Sequence, residues 1–365
     1  MKIVIHAVYA SELPRGVGRY CLNLVKYLSN KYENVNFILL IGDWMNGYNF
    51  ESIIGENVQI VKLKIPKNIL LRNIWNLLIL PLHIKYRYKP DLIHFTDSSP
   101  LLFKSCPTIS TIHDVGEFIA PEKYGEFRSW IRRIITRTQV IRSDKIVTVS
   151  NTSKDSVVSL KLCESEKISV VYNGVDMEEV SYPEDEVNKY LLCVGPVETA
   201  KNIQTAIKAF GQISEKYLDV KLIIVGSRGE GYEEIAQLPK DLGISERVIF
   251  KGRVTNEELS SLYRNSILTI FLSEYEGFGY PVIEAMRMSS PVICSNQSCL
   301  PEISGGHSFL VNPRNINEIA NTLSYVIDNR NNLTERINEA RLYSLEYTSD
   351  KLAERTFEEY RSIIG

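Results

Sequence analysis

The sequence predicts an α/β protein built from two doubly wound, Rossmann-like domains in tandem, on three observations. Short apolar, β-branched runs alternate with amphipathic stretches along almost the whole chain, the pattern of parallel strands joined by right-handed helical crossovers. The alternation stops at an acidic, unperiodic segment, VDMEEVSYPEDEVNK (175–189), and then starts again. The chain of 365 residues also exceeds the size at which one core stops growing, roughly 250–300 residues. A boundary inside the acidic segment gives an N-terminal domain over 1–182, a C-terminal domain over 183–348 and a closing helix over 349–365. That helix is amphipathic and can pack on either domain, including back on the N-terminal one. Two domains of this kind are expected to face each other across a cleft at the carboxyl ends of their strands, where open α/β sheets bind ligands.

Taken in order, KIVIHAV (2–8) is the first buried strand. The turn Gly16-Val17-Gly18 follows, and then a helix that carries Tyr20, Leu24 and Leu28 toward the core. Strand-like runs recur at NFILLI (36–41), VQIVKL (58–63), DLIHF (91–95), PTISTI (107–112), KIVTVS (145–150) and KISVVY (167–172). Helical stretches lie between most of them, notably 124–142 and 152–162. The second half repeats the pattern with YLLCVG (190–195), a helix from about Asn202, VKLIIVG (220–226), RVIFKG (247–252) and ILTIFLS (267–273). A helix from about Pro281 and the run PVIC (291–294) complete it.

Composition excludes several classes. With 44% hydrophobic and 24% charged residues, 20 Gly and 14 Pro, the chain is neither collagen-like nor low-complexity nor broadly disordered. No stretch reaches the ~18 uninterrupted apolar residues of a membrane span; the nearest, Ile69 to Ile84, is broken by Arg72, Asn73, Asn76 and Pro81. The start carries one Lys and an apolar run that ends at Ser11-Glu12, which reads as a strand rather than a signal peptide. Six Cys without a CxxC pair predict free, buried thiols and a cytoplasmic setting. The net charge of −2 hides an asymmetry: residues 1–180 hold 23 Lys and Arg against 18 Asp and Glu, and residues 181–365 hold 19 against 26. The excess sits between Lys62 and Lys145, with 15 basic and 7 acidic residues. Either these residues simply solubilise helices, or the first half meets something anionic. With a near-neutral balance and no recognised module, nucleic acid is not an expected partner.

Four motifs carry chemistry. Gly16 and Gly18 open a helix after the first strand, where bare backbone and helix amides suit an anion; a plain tight turn explains them equally. A third glycine and a following acidic residue are missing, which disfavours a nicotinamide enzyme. His113, in Thr111-Ile112-His113-Asp114, ends a buried strand where it donates a hydrogen bond, relays a proton or serves only the backbone. Lys201 stands at the start of a helix, against the dipole, which fits a bound anion or an ordinary surface lysine. The densest signal is Ser273 to Glu284, where two acids, Glu276 and Glu284, flank Gly277, Phe278, Gly279 and Pro281 at a strand's carboxyl end. Carboxylates that accept from hydroxyls, beside amides that donate, suit a polyol. A capping acid with a chance glutamate is the plainer reading.

The segment EGFGYPVIE (276–284) resembles the E-x7-E motif of the retaining nucleotide-sugar glycosyltransferases of family 4, which have the GT-B fold. The resemblance extends to GVGRY (16–20), TIHD (111–114), TVSNTSKDSV (148–157), VYNGVD (171–176), GPVETAKN (195–202) and SCLPEISGG (298–306). It is similar to the branch that contains mannosyl- and rhamnosyltransferases of bacterial surface polysaccharides. The resemblance implies transfer of a hexosyl residue, with retention, from a donor such as GDP-mannose, a UDP-hexose or dTDP-rhamnose to a glycan or lipid-linked acceptor. It implies that His113 and Glu276 contact the transferred sugar and that Lys201 binds the diphosphate. Gly16 and Gly18 would face the diphosphate or acceptor, the Phe278 and Gly279 amides would hold sugar hydroxyls beside Gly277, and Glu284 would hold the ribose. A front-face mechanism is implied, in which the leaving phosphate helps deprotonate the acceptor. Ala200 departs from the Arg-Lys pair common in the family, so Arg228 or Arg253 becomes a candidate second cation. No D-x-D occurs, so neither a metal nor another cofactor is expected. A GT-B nucleotide-sugar isomerase and a non-catalytic sugar-binding protein are the alternatives. The basic, apolar segments 66–89 and 126–142 are candidates for peripheral contact with the anionic inner membrane leaflet, or are ordinary amphipathic helices.

Overall fold

The computed structural model describes residues 1–8, 16–43, 55–66, 68–102, 104–121, 125–177 and 189–365. The chain divides into two units, Met1–Gly174 with Tyr347–Gly365, and Val175–Glu346. The predicted linker, and with it the boundary at residue 182, lies largely outside the described residues.

The first unit holds β1 (Lys2–His6), β2 (Asn36–Gly42), β3 (Val58–Leu63), β4 (Leu92–Phe95), β5 (Thr108–Ile112), β6 (Lys145–Thr148) and β7 (Ile168–Val170). All pair in parallel, in the order β3-β2-β1-β4-β5-β6-β7. Helices α1 (Val17–Lys31), α2 (Ile69–Leu78), α3 (Leu80–Arg87), α4 (Gly116–Ile119), α5 (Glu126–Arg142) and α6 (Asn151–Ser159) connect them. The strands read as unbroken apolar runs because both sheet faces are covered. One face packs Ile3, Ile5 and Leu39 under α1, and the other packs Val4, Ile38 and Leu40 under Leu80 and Ile84 of α3. The apolar run 69–84 is two helices, with Pro81 in the first turn of α3 where its missing N–H is harmless.

The second unit is a six-stranded parallel sheet in the order β10-β9-β8-β11-β12-β13. Its strands are β8 (Tyr190–Val194), β9 (Lys221–Val225), β10 (Val248–Gly252), β11 (Leu268–Phe271), β12 (Val292–Ser295) and β13 (Phe309–Val311). Its helices are α7 (Ile203–Ile213), α8 (Tyr232–Asp241), α9 (Asn256–Arg264), α10 (Tyr280–Arg287), α11 (Leu300–Ser304), α12 (Ile316–Asn329) and α13 (Thr334–Ser344). Strand β13 has no counterpart in the sequence reading. It is three residues long at a sheet edge with Leu310 exposed, too short and too half-buried to make an apolar run. Among the described residues no helix is long and apolar enough to cross a membrane. All six cysteines are free thiols, and Cys21, Cys193, Cys294 and Cys299 are buried.

The closing helix α14 (Ser349–Ile364) belongs to the first unit. Thr348 caps it by accepting from the Lys351 amide, and Leu352, Ala353, Phe357 and Tyr360 bury against α1. Its deepest residue, Tyr360, hydrogen-bonds His94 Nδ1 at 2.7 Å, and His94 Nε2 meets Thr111 Oγ1 at 2.8 Å. Thr111 Oγ1 also meets the Tyr20 hydroxyl at 2.9 Å. A polar chain thus runs from α14 through β4 and β5 to α1 inside an apolar core.

Burial pushes the His94 pKa down to about 3, whereas the unfolded chain titrates near its usual 6.5. Between those values the unfolded state binds the extra proton, so stability falls as pH drops from 6.5, by up to about 1.4 kcal/mol per pH unit. Urea midpoints are therefore expected to decline between pH 7 and 4, and to decline less steeply in His94→Gln, which starts from lower stability. Equal slopes in the two proteins would show that His94 does not carry the effect.

Candidate functional site

Strands β8 and β11 are neighbours, but β8 leads through α7 to β9 on one side and β11 leads through α10 to β12 on the other. Connections that leave in opposite directions open a crevice at the carboxyl ends of the two strands. Lys201 follows β8 and Glu276 follows β11, and in that crevice Lys201 Nζ donates to Glu276 Oε1 at 2.5 Å. The side chains are 18% and 15% exposed, so the pair is largely shielded from solvent.

Backbone and side-chain ties hold each partner. Residues Thr199–Lys201 form one 3-10 turn, stopped by Asn202 in the left-handed conformation at φ 55°, which Asn adopts at less cost than most residues. The Asn202 amide donates to the Pro313 carbonyl at 2.8 Å, and its oxygen accepts from Thr205 at 2.6 Å. Lys201 therefore projects from a bolted turn. The Ser273 hydroxyl donates to the Ala200 carbonyl at 3.2 Å, tying that turn to the end of β11. On the other partner, the Ser298 hydroxyl donates to the Glu276 carbonyl at 2.7 Å and accepts from its amide at 3.1 Å. This assigns a structural task to the start of the 298–306 motif. Nearby Glu274 has its own cation: Arg314 donates to both its oxygens at 2.9 and 2.7 Å and lowers its pKa.

The chain then enters α10. Gly279 sits at φ 89°, and a Cβ there would press on Leu300 Cδ2 at 2.5 Å, so only glycine keeps this close turn. Phe278 is buried edge-on against Tyr280 at 5.2 Å, and Gly277 is buried beside it. The first turn of α10 contains no acidic residue, so its amides point positive potential at the crevice. Glu284 is 2% exposed, and its Oε2 accepts from the buried Tyr263 hydroxyl at 2.8 Å.

In the first unit the sheet reverses direction between β1 and β4. Gly16 caps α1 at φ 38° with no described residue within 4 Å of where a Cβ would stand, Gly18 is buried as the second residue of the helix, and no acidic residue occupies that first turn. His113 follows β5. Its Nε2 donates to the Thr96 carbonyl at 2.9 Å, and its ring lies edge-on to Tyr20 at 4.8 Å. Burial lowers its pKa below the usual histidine value, so the ring is neutral at pH 7 and Nδ1 carries the lone pair. The crevice itself holds a buried cluster, with His6 Nδ1 3.3 Å from Asp97 Oδ1 and the Ser99 hydroxyl donating to the same oxygen at 2.9 Å.

The structure thus brings Lys201, Glu276, Gly277, Phe278, Gly279 and Glu284 to one strand–helix neighbourhood. Arg228 follows β9, pairs by backbone with Val197 beside the Lys201 turn, lies over Tyr232 at 4.5 Å and reaches Glu233 at 3.7 Å. Arg253 follows β10, two strands from β8, and is exposed. Tyr263 and Asp97 escaped the sequence reading, and Asn202 and Ser298 stood there only inside motifs, without their supporting roles. Asp97 had a signal, a polar Thr96-Asp97 step directly after a short buried strand, whereas Ser298 and Tyr263 act from distant segments. Among the described residues no group of three or more His, Cys, Asp or Glu is arranged to hold a metal ion. Tyr263→Phe removes a buried donor to a carboxylate and is expected to lower the unfolding free energy by about 1.5–3 kcal/mol, measured by chemical denaturation. A loss below the error of the method would contradict the bond.

Comparison with known proteins identifies the family and the fold. Residues 14–179 match the family model Glycosyltransferase Family 4, and residues 176–342 match Glycosyl transferases group 1. The chain is 34% identical over 203 residues to the O-antigen chain mannosyltransferase RfbU of Salmonella typhimurium, covering 56% of each. It is 26% identical to O-antigen chain mannosyltransferase B of Escherichia coli, covering 58% of this chain and 59% of that one. The match therefore spans somewhat over half the length of these curated relatives. In three dimensions it resembles Anabaena Alr3699/HepE, solved with UDP and glucose, at TM-score 0.78 and 19% identity over 99% of this chain and 100% of that one. That likeness shows the fold, which is GT-B. With one model matched by each half, the two in succession from residue 14 to residue 342, the chain belongs to the family 4 glycosyltransferases.

Proposed function

We propose that this chain is a retaining glycosyltransferase that moves a hexosyl residue from a nucleotide sugar to a glycan or lipid-linked acceptor in bacterial surface polysaccharide synthesis. The observation that carries the reading is the Lys201–Glu276 pair at the β8/β11 crevice, beside the glycine-rich entry to α10. Breaking a sugar–phosphate bond leaves growing negative charge on the nucleoside diphosphate. Lys201 and the amides at the entry to α10 stabilise that charge where it develops, and the Phe278 and Gly279 amides also hold sugar hydroxyls. Glu276 accepts from hydroxyls of the transferred sugar, and Glu284 holds the ribose. Neutral His113, with Nε2 committed to the Thr96 carbonyl, accepts a sugar hydroxyl at Nδ1. Gly16 and Gly18 face the diphosphate or the acceptor. Arg228, adjacent to the Lys201 turn, is the better second cation in place of Ala200, and Arg253 is the more distant one. No metal or cofactor is needed in this scheme. The named mannosyltransferase relatives favour a mannosyl donor, for which GDP-mannose is the candidate to test, and the UDP and glucose in the similar structure keep UDP-hexoses under test beside dTDP-rhamnose.

We further propose that the protein works in the cytoplasm against the anionic inner leaflet. Along α5, Phe127 (72% exposed), Trp130 (58% exposed), Ile134 and Ile141 share one face with exposed Arg128, Arg137 and Arg142. Arg132 and Arg133 turn inward to Glu117. On α2, Leu71, Ile74 and Leu78 form an exposed stripe at helical spacing. Aromatic and aliphatic groups rimmed by arginine suit an anionic interface.

Two measurements test these readings. With the correct donor, nucleoside diphosphate release is expected to fall at least about a hundredfold in Glu276→Ala and in Lys201→Ala, the scale of a lost transition-state contact, and clearly in His113→Ala. Wild-type release rates in the variants would remove these residues from the site. In flotation assays the protein is expected to bind phosphatidylglycerol vesicles over phosphatidylcholine ones, and Phe127→Ala/Trp130→Ala to weaken that binding. No preference between the lipids would overturn the leaflet contact.

A further inference from the structure

The Lys201–Glu276 pair also bears on how the site tells donor from product, an inference that rests on the donor-site reading above. A diphosphate needs the Lys201 ammonium and a sugar needs the Glu276 carboxylate, yet in the structure the two groups engage each other at 2.5 Å. Both backbones are tied in place. Glu276 is held at both amide and carbonyl by Ser298, and Lys201 projects from the turn stopped by Asn202. Arg314, the cation seated on neighbouring Glu274, is engaged there through two nitrogens. Drawing Lys201 toward phosphate therefore takes from a carboxylate that is only 15% exposed the ammonium that engages its Oε1, which is unfavourable unless other donors replace it.

We propose that this pair is a latch that selects the intact nucleotide sugar over the free nucleoside diphosphate and helps expel the diphosphate after transfer. A nucleotide sugar supplies hydroxyl donors to Glu276 as its phosphates take Lys201, so the carboxylate exchanges one set of donors for another. A free diphosphate takes Lys201 and gives Glu276 nothing, while adding negative charge beside it. When the sugar leaves for the acceptor its hydroxyls leave too, Glu276 reclaims Lys201, and the diphosphate loses its cation. Resting site, loaded site and product site are then three states of one pair of side chains, with no backbone movement required.

The test is calorimetric titration of the full chain with UDP, GDP and dTDP, and with UDP-glucose, GDP-mannose and dTDP-rhamnose. Wild type is compared with Glu276→Gln, Glu276→Asp and Lys201→Met. For the nucleotide that wild type binds, Glu276→Gln is expected to bind the free diphosphate at least about fivefold tighter, the upper end for an exposed ion pair and so a floor for this shielded one, and the nucleotide sugar no tighter. Glu276→Asp keeps the charge but is one methylene short of Lys201, so it too is expected to bind the diphosphate more tightly. Diphosphate affinity at or below wild type in Glu276→Gln would overturn the latch. Tightening in Glu276→Gln without any in Glu276→Asp would reduce it to simple charge repulsion and also overturn it. If wild type binds none of the six nucleotides, or Lys201→Met binds the diphosphate as wild type does, the donor-site reading fails and the latch with it.

Discussion

The candidate site of the second unit is organised around one ion pair, formed where the connections of a parallel sheet diverge. A parallel sheet leaves its strand-end loops on a single edge, and only neighbouring strands whose connections diverge leave that edge open. Strands β8 and β11 are such neighbours, and the loops after them deliver a cation and a carboxylate to within hydrogen-bonding distance. An ion pair with so little exposure contributes little net stability by itself, because desolvation offsets attraction. Its value lies in what surrounds it: the Asn202 bolt, the Ser298 clamp on Glu276 and the separate Arg314 partner for Glu274. The structure keeps two charges poised at the mouth of a helix amide cluster, where a phosphate and a polyol are complementary to them.

In the first unit the corresponding edge is stabilised from behind. His94, Thr111, Tyr20 and Tyr360 form a buried polar chain that ties the last helix to β4, β5 and α1. Tyr20 ends that chain and places its ring against His113. The orientation of a residue at the strand end is thereby coupled to packing of the C-terminal segment, which lies far from it in sequence. Both histidines are held neutral by burial, so the network keeps its hydrogen-bond pattern through the neutral pH range.

Sequence alone carried most of the architecture because buried parallel strands read as apolar runs, and Ile3–Ile5, Leu191–Cys193 and Leu268–Phe271 leave no other periodic reading. The short edge strand at Phe309–Val311 was invisible for the converse reason, since an exposed Leu310 and three residues give no run. In the site, the glycines, Pro281 and the two glutamates stood together in sequence because one strand–turn–helix supplies them all. Lys201 was readable as a helix-start cation, but its partner was not, since the sequence separation of 75 between Lys201 and Glu276 closes only through strand order. Ser298, Tyr263 and Asp97 were hidden in the same way. The basic stretch 126–142 was legible as charge, yet which arginines face outward depended on buried Glu117, which turns Arg132 and Arg133 inward.

The central claim is that the β8/β11 crevice receives the donor through Lys201 and the entry to α10. A crystal structure of the chain with the nucleotide sugar that supports turnover tests it most directly. The account predicts phosphate oxygens within hydrogen-bonding reach of Lys201 Nζ, the Lys201–Glu276 contact broken, and a sugar hydroxyl on the Glu276 carboxylate. A nucleotide bound elsewhere, or bound there with the ion pair intact, would contradict it.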